Sequence, residues 1–107
     1  MSNENKSFSK KLKDAAGDAG TSIQNAAKDV KTRTQNAANN AKNESAKAAN
    51  DAKAKSGNVF DKAGAAIKNT VNDAKTSSKN AANSTKNESE KATNKMKNEA
   101  HKAERDN

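Results

Sequence analysis

The chain contains no cysteine and no proline, only four glycines and two aromatic residues, and no long apolar run. The absence of cysteine excludes disulfides, thiol chemistry and cysteine-based metal sites. Since no apolar stretch approaches the roughly 20 residues of a membrane span and no signal-peptide core is present, we expect an intracellular, cytoplasmic protein. The lack of proline and the few glycines also distinguish the chain from a purely flexible linker.

Large apolar residues are scarce as well. Of the 107 residues, 22 are alanine and only ten are larger apolar residues, while 32% are charged. Burying a methyl group contributes at most about 0.8 kcal/mol, whereas ordering one backbone residue costs about 1–2 kcal/mol. Together with a mean hydropathy of -1.29 and 17 asparagines, this predicts a chain that is largely disordered in dilute water and helical when water is withdrawn or a surface is supplied.

An 11-residue repeat runs through nearly the whole chain. Stepping by eleven from Phe8 meets an apolar residue at eight of nine positions. Eleven residues fill three turns of an α-helix at about 3.67 residues per turn, so four such columns form an apolar stripe roughly 100° wide. The residues chosen to mark this stripe are Phe8, Leu12, Ala19, Ile23, Val30, Ala41, Ala52, Val59, Phe60, Ala63, Ile67, Val71, Ala74 and Met96.

Charged residues follow the same period on both sides of the stripe. Lysines and aspartates recur every eleven residues, like the alanines, but at different offsets. A lysine column therefore lies along one edge of the stripe and an aspartate column lies towards the other edge. The lysine flank is Lys42, Lys53, Lys75, Lys86 and Lys97. The aspartate column is Asp18, Asp29, Asp51 and Asp73. Aspartates eleven residues apart lie about 16 Å apart along a helix, so they do not share a metal ion.

The fold class predicted is all-α, as either one long bent helix or a two-helix hairpin. We expect disordered termini at 1–7 and 104–107, repeat helices at 8–55 and 59–103, and a break at 56–58. Gly57 is a plausible helix stop, and Asn58 with Asp61 three residues later resembles a helix N-cap. Residues 19–50 also match residues 63–94 at 18 of 32 positions, which indicates an internal duplication.

The repeat of Ala-Ala, a polar residue, Asp or Asn, and Ala-Lys, with no cysteine or proline, resembles the group 3 late embryogenesis abundant proteins. The resemblance extends from about Phe8 to Ala103. It implies a hydrophilic chain that is disordered in water, becomes helical on drying, and protects proteins and membranes during desiccation, freezing or salt stress. The chain departs from the family in its basic charge and in the asparagines that replace glutamate or glutamine, such as Asn36 and Asn83.

The function predicted is therefore a non-enzymatic stress protectant, with no cofactor, no metal and no small-molecule substrate. The only histidine, His101, has no cysteine or carboxylate cluster around it and is expected on the solvated surface. The apolar stripe leaves two further uses open: weak binding to anionic membranes or lipid droplets, and close pairing of helices in a self-associated dry state. A weak nucleic-acid coat is a second alternative, although acidic residues are interleaved with the basic ones throughout.

Overall fold

The protein, described by a computed structural model, consists of two long α-helices. The structure describes the backbone of residues 2–106 and the side chains of residues 7–105. Helix α1 runs Ser2–Lys55 and helix α2 runs Val59–Asp106, and no strand occurs among the described residues. The all-α prediction is confirmed. Residues 2–7 and 104–106 are helical in the structure, and their disorder in solution stays a prediction.

The helices contribute to two compact units. One unit, the turn unit, comprises Thr32–Thr85, and the other, the terminal unit, comprises Met1–Lys31 with Lys86–Asn107. Within the turn unit the two helix segments are antiparallel. Asn36 of α1 is hydrogen-bonded to Asn83 of α2, whereas Asn50, further along α1, is hydrogen-bonded to Asn69, which comes earlier in α2. The hairpin is therefore the alternative that the structure adopts around residues 56–58. The segments of the terminal unit are antiparallel as well, with Asp14 beside Arg105.

The connection between the helices is built by a short turn and a reciprocal cap. The Gly57 amide donates to the Ala54 carbonyl at 3.0 Å, which closes the end of α1. The backbone amide of Asn58 donates to the Asp61 carboxylate, and the amide of Asp61 donates to the Asn58 side-chain oxygen, both at 3.1 Å. Two amides that lack a helix partner are thereby satisfied. The predicted cap of Asn58 and Asp61 is confirmed.

Gly57 is needed at the turn for space. No glycine among the described residues has a positive φ, so Gly57 is not a left-handed helix cap. A Cβ added there would lie 2.5 Å from the Cβ of Asp61 and would collide with its carboxylate as well. Any larger residue must therefore displace Asp61 and break the cap, whereas the space around Gly64 is open.

Removing the cap should weaken α2 at its start. We expect Asn58→Ala to destabilise the helix by about 1 kcal/mol, because the amide of Asp61 loses its acceptor. Thermal melts followed by circular dichroism, at a water content where the chain is helical, measure the loss. Ser45→Ala is the control, since Ser45 is exposed in the middle of α1 and alanine is the better helix former there. An Asn58→Ala melt that matches the control would contradict the cap's contribution.

Candidate interaction surface

The helices meet through a polar face. In the terminal unit, Asn94 donates to Asn25 at 3.1 Å. In the turn unit the paired asparagines are Asn83 with Asn36 at 3.0 Å, Asn39 with Asn80 at 3.1 Å, and Asn50 with Asn69 at 3.0 Å. We call these four contacts the asparagine pairs. An amide side chain both donates and accepts, so two facing asparagines satisfy each other across the interface.

A second contact joins charged groups across the same face. In the turn unit, Asp73 accepts hydrogen bonds from Asn43 at 2.7 Å and from Lys47, four residues further along α1, at 3.1 Å. The same lysine is held by Glu44 of its own helix at 3.2 Å. We call this combination an Asn-Lys-Asp clamp. Its charges are complementary. It also fixes the helix register, because the asparagine and the lysine of one helix donate to the same carboxylate oxygen of the other helix.

The clamp occurs twice more, in the terminal unit. Asp29 accepts from Asn87 at 2.8 Å and from Lys91 at 2.9 Å. Asp18 accepts from Asn98 at 2.7 Å and from Lys102 at 3.1 Å. Each clamp lysine also contacts a glutamate three residues before it, at 2.9 Å for Lys91 and 3.3 Å for Lys102. The sequence signal for the clamp is therefore Asn-Glu-x-x-Lys, a motif that was not among the predicted site residues.

Internal duplication explains why both units use the same contacts. The shift of 44 residues carries Asn43 and Lys47 onto Asn87 and Lys91 and, in the opposite direction, carries Asp73 onto Asp29. It likewise carries Asn25 onto Asn69. The shift therefore relates one clamp and one asparagine pair of the turn unit to one clamp and one asparagine pair of the terminal unit.

The pairing face contains almost no apolar core. The buried apolar residues of the described part of the chain are Ala54 and Ala65, each 8% exposed, and the buried polar residues are Asn25 and Asn87. The amide oxygens of Asn43 and Asn87 are buried without a protein partner. Burial of apolar surface therefore contributes little, and most of the attraction comes from groups that water also solvates well.

The predicted apolar stripe lies on the outside of the helices. Its centre is about half a turn around the helix from the centre of the pairing face, because both follow the 11-residue period at different offsets. Its larger side chains are 44% to 84% exposed. All fourteen residues chosen for the stripe are exposed: Phe8, Leu12, Ala19, Ile23, Val30, Ala41, Ala52, Val59, Phe60, Ala63, Ile67, Val71, Ala74 and Met96.

The lysine flank is exposed beside the stripe. Lys42, Lys53, Lys75, Lys86 and Lys97 all lie on the surface. Lys86 is 3.9 Å from Glu90 of its own helix. The lysines that bond the opposite helix are Lys28, which contacts Glu90 at 2.7 Å, and the three clamp lysines, and all of them belong to other columns. Helix pairing in each unit therefore does not use the alanine stripe with its lysine edge, one of the two further uses predicted for the stripe. The aspartate column does take part, through Asp18, Asp29, Asp51 and Asp73.

Outside the pairing face, the described side chains form no candidate metal site. His101 is exposed, and the described residues contain no group of three or more histidine, cysteine, aspartate or glutamate side chains placed to hold a metal. Neither described helix is long and apolar enough to cross a membrane. No family model matches the chain, and the comparisons with curated proteins and with solved structures likewise return no significant match.

The clamps shift the pKa values of their members in opposite directions. The hydrogen bonds from Asn43 and then Lys47 lower the pKa of Asp73 from its ordinary 3.8, and Asn98 and then Lys102 lower the pKa of Asp18. Conversely, Asp73 and then Glu44 raise the pKa of Lys47 above 10.5. Lys91 and Lys102 have raised pKa values for the same reason.

These shifts predict a pH window for the paired helices. The lowered aspartate pKa values contribute stability above about pH 4, which is lost as the pH falls through the lowered value. The raised lysine pKa values contribute stability below about 10.5, which is lost as the pH rises through the raised value. Energy transfer between dyes on Ala38→Cys and Ala82→Cys, measured at reduced water content, should therefore fall at both extremes of pH.

A matched pair of variants separates the clamp from net charge. Asp73→Asn removes a clamp carboxylate and should weaken energy transfer at neutral pH and flatten its acid limb. Glu104→Gln makes the same change in net charge at an exposed position and should leave the profile unchanged. Identical profiles for the two variants would show that the pH response comes from overall charge.

Proposed function

We propose that the protein is a non-enzymatic stress protectant that is disordered when hydrated, becomes a paired helical structure as water is lost, and then shields proteins and membranes. The observation that supports this proposal is the division of each helix into two opposite faces. Asparagine pairs and clamps hold the helices together, and the apolar stripe faces outward with its lysine flank.

The composition of the pairing face links folding to water. A hydrogen bond between two side chains replaces two bonds to water, so in dilute solution it contributes only about 0.5–1.5 kcal/mol net. Holding the side chains in place costs conformational entropy of similar size. When water is withdrawn, the competing partner disappears and each of these contacts becomes more favourable. A face made of leucine would instead lose its driving force together with the water.

The outward stripe supplies the protective surface. An amphipathic helix lies at a lipid interface with its apolar side inserted, and lysines beside it add about 1 kcal/mol each near anionic headgroups. The same stripe suits the apolar patches that partly unfolded client proteins expose. Because five of the fourteen stripe residues are alanine and the larger ones, such as Phe60 and Ile67, are spread along two helices, contact with either partner is weak and reversible in water.

Drying assays test the proposal. A labile enzyme and dye-loaded anionic liposomes are dried and rehydrated with the protein, at mass ratios where an inert polymer does protect. We expect retained enzyme activity and retained dye, and infrared spectra of the dried film that show helix absent from the solution. The absence of protection for both cargoes would exclude the proposed function.

A constitutive membrane-surface protein is the second candidate. The exposed stripe supports it, because Val59, Phe60 and Ile67 are more than 60% exposed while the helices are paired, so lipid binding needs no rearrangement of the pairing face. Helix induced by anionic vesicles in dilute buffer, without any drying, would favour this candidate. A coil spectrum that changes only on drying favours the protectant.

A further inference from the structure

The pairing face keeps its phase across the turn. Ala54 and Ala65, which are both buried, are eleven residues apart on opposite sides of it. Asn50 and Asn69 face each other. Asp61 lies eleven residues after Asn50, and Asn58 lies eleven residues before Asn69. In a hairpin, the loop at residues 56–58 interrupts the helix. The pairing face of α2 therefore does not have to continue the 11-residue phase of the pairing face of α1.

The register of the paired residues also follows a single rule in both units. In the turn unit Asn50 pairs with Asn69, Asn39 with Asn80 and Asn36 with Asn83, so the residue numbers of each pair add up to 119. In the terminal unit, Asn25 with Asn94 and Asp14 with Arg105 follow the same rule. This register is possible both between two helices of one copy of the chain and between helices of two copies.

The residues of the cap also obey the rule. Asn58 and Asp61 fall on two columns of the pairing face, and their numbers again add up to 119. In the hairpin they bond each other's backbone amides within one turn. On a continuous helix they would lie on the pairing face, at the same relative position as the pair Asn50 and Asn69, where the asparagine amide can donate to the aspartate carboxylate.

We propose that the pairing face also takes a second copy of this chain, in a domain-swapped dimer. The turn opens, residues 56–58 become helical, and α1 of each copy pairs with α2 of the other in the register seen in the hairpin. Every side-chain contact between the helices of the hairpin is kept, now between copies, and Asn58 of each copy faces Asp61 of the other. Swapping exchanges identical elements and needs no new interface.

Gly57 controls the choice between hairpin and dimer. The closed turn needs glycine because any Cβ collides with Asp61, whereas a continuous helix prefers alanine to glycine. Gly57→Ala therefore opposes the hairpin and favours the dimer. Gly64→Ala is its matched control, because Gly64 lies within α2, where nothing occupies the space that a Cβ would take.

Cross-linking between copies tests the proposal in the full-length chain. Ala38 and Ala82 line the same groove between the helices of the turn unit, and the chain has no native cysteine. Ala38→Cys and Ala82→Cys chains, one of them isotopically labelled, are mixed with a short bismaleimide at stepwise higher glycerol. Circular dichroism reports helix on the same samples, and mass spectrometry counts the products.

The swapped dimer predicts that mixed Ala38–Ala82 links exceed links between like chains by about tenfold or more, because pairing raises the effective concentration of the two thiols. Gly57→Ala should increase the mixed product several-fold, and Gly64→Ala should not. A statistical mixture of products at every glycerol level, or equal yields for the two glycine variants, would overturn the proposal. The result is independent of protection during drying, since the assay contains neither membrane nor client protein.

Discussion

Replacing Asn36, Asn39, Asn80 and Asn83 with leucine is expected to make the chain helical in dilute buffer. These residues form two of the asparagine pairs of the turn unit. Exchange of both members of a pair for apolar groups leaves no unsatisfied partner within the pair. Asn40 and Ser84 each lose one hydrogen bond, but both are exposed and water replaces it. Each half-buried leucine should then contribute roughly 1–2 kcal/mol, and the four together on the order of 5 kcal/mol, in favour of the hairpin.

The measurement is far-UV circular dichroism in buffer, followed by drying of the same sample. The wild-type chain should gain helix on drying, whereas the leucine variant should have most of its helix beforehand. Leucines at Ala37, Ala48, Ala81 and Ala92 serve as the control. These alanines are exposed and share the 11-residue column of the stripe residue Val59, so the leucines add the same apolar area on the opposite face. They should leave the hydrated chain unpaired and increase its binding to vesicles.

Two results would contradict the role of the polar face. Strong helix in the wild-type chain in dilute buffer would mean that asparagine pairs and clamps suffice without water loss. A leucine variant that remains a coil would mean that the pairing face does not limit folding. Either result would remove the link between water content and structure on which the proposed function depends.

Replacing Phe60, Ile67, Val71 and Met96 with glutamine is expected to abolish protection of liposomes while the helices still pair. All four side chains are exposed in the stripe, with exposed fractions of 44% to 84%. If each contributes about 1 kcal/mol on partial insertion into a lipid interface, the four losses weaken binding roughly a thousandfold. The pairing face is on the other side of the helix and is unchanged.

Dye retention after drying, together with vesicle co-sedimentation, measures this loss. The matched control places four glutamines at Ser22, Ala46, Ala66 and Ser77, which are exposed outside both the stripe and the pairing face. This control should protect liposomes as well as the wild type, and both variants should gain the same helix on drying. Undiminished liposome protection by the stripe variant would contradict the assignment of the stripe as the membrane-facing surface.

The sequence predicts the helices and the break between them better than it predicts which faces meet. The 11-residue period indicates helix throughout, and Gly57, Asn58 and Asp61 identify the break, because turn and cap chemistry is local. The pairing face is not local. Several columns share one period, so periodicity alone does not decide whether the alanine column at Ala41 or the asparagine column at Asn36 faces the partner helix.

The usual preference for burying the apolar side also fails here, for a physical reason. Alanine offers too little surface to outweigh the directional contacts of asparagine, lysine and aspartate on the opposite side. Asn-Glu-x-x-Lys, which occurs at Asn43, Asn87 and Asn98, is the feature from which the pairing face could have been identified. It requires an aspartate column in the partner helix, and Asp18, Asp29 and Asp73 provide it.

The repeated clamp sets a rule for how such a chain can change in length. Adding eleven residues to α1 and eleven to α2 at matching positions would leave every existing pair intact, because each addition keeps the face and the register. Adding eleven residues to one helix alone would keep the face but move every pair beyond the insertion out of register. Growth of this protein is therefore restricted to paired steps, and an unmatched insertion within one helix would separate the partners of every clamp beyond it.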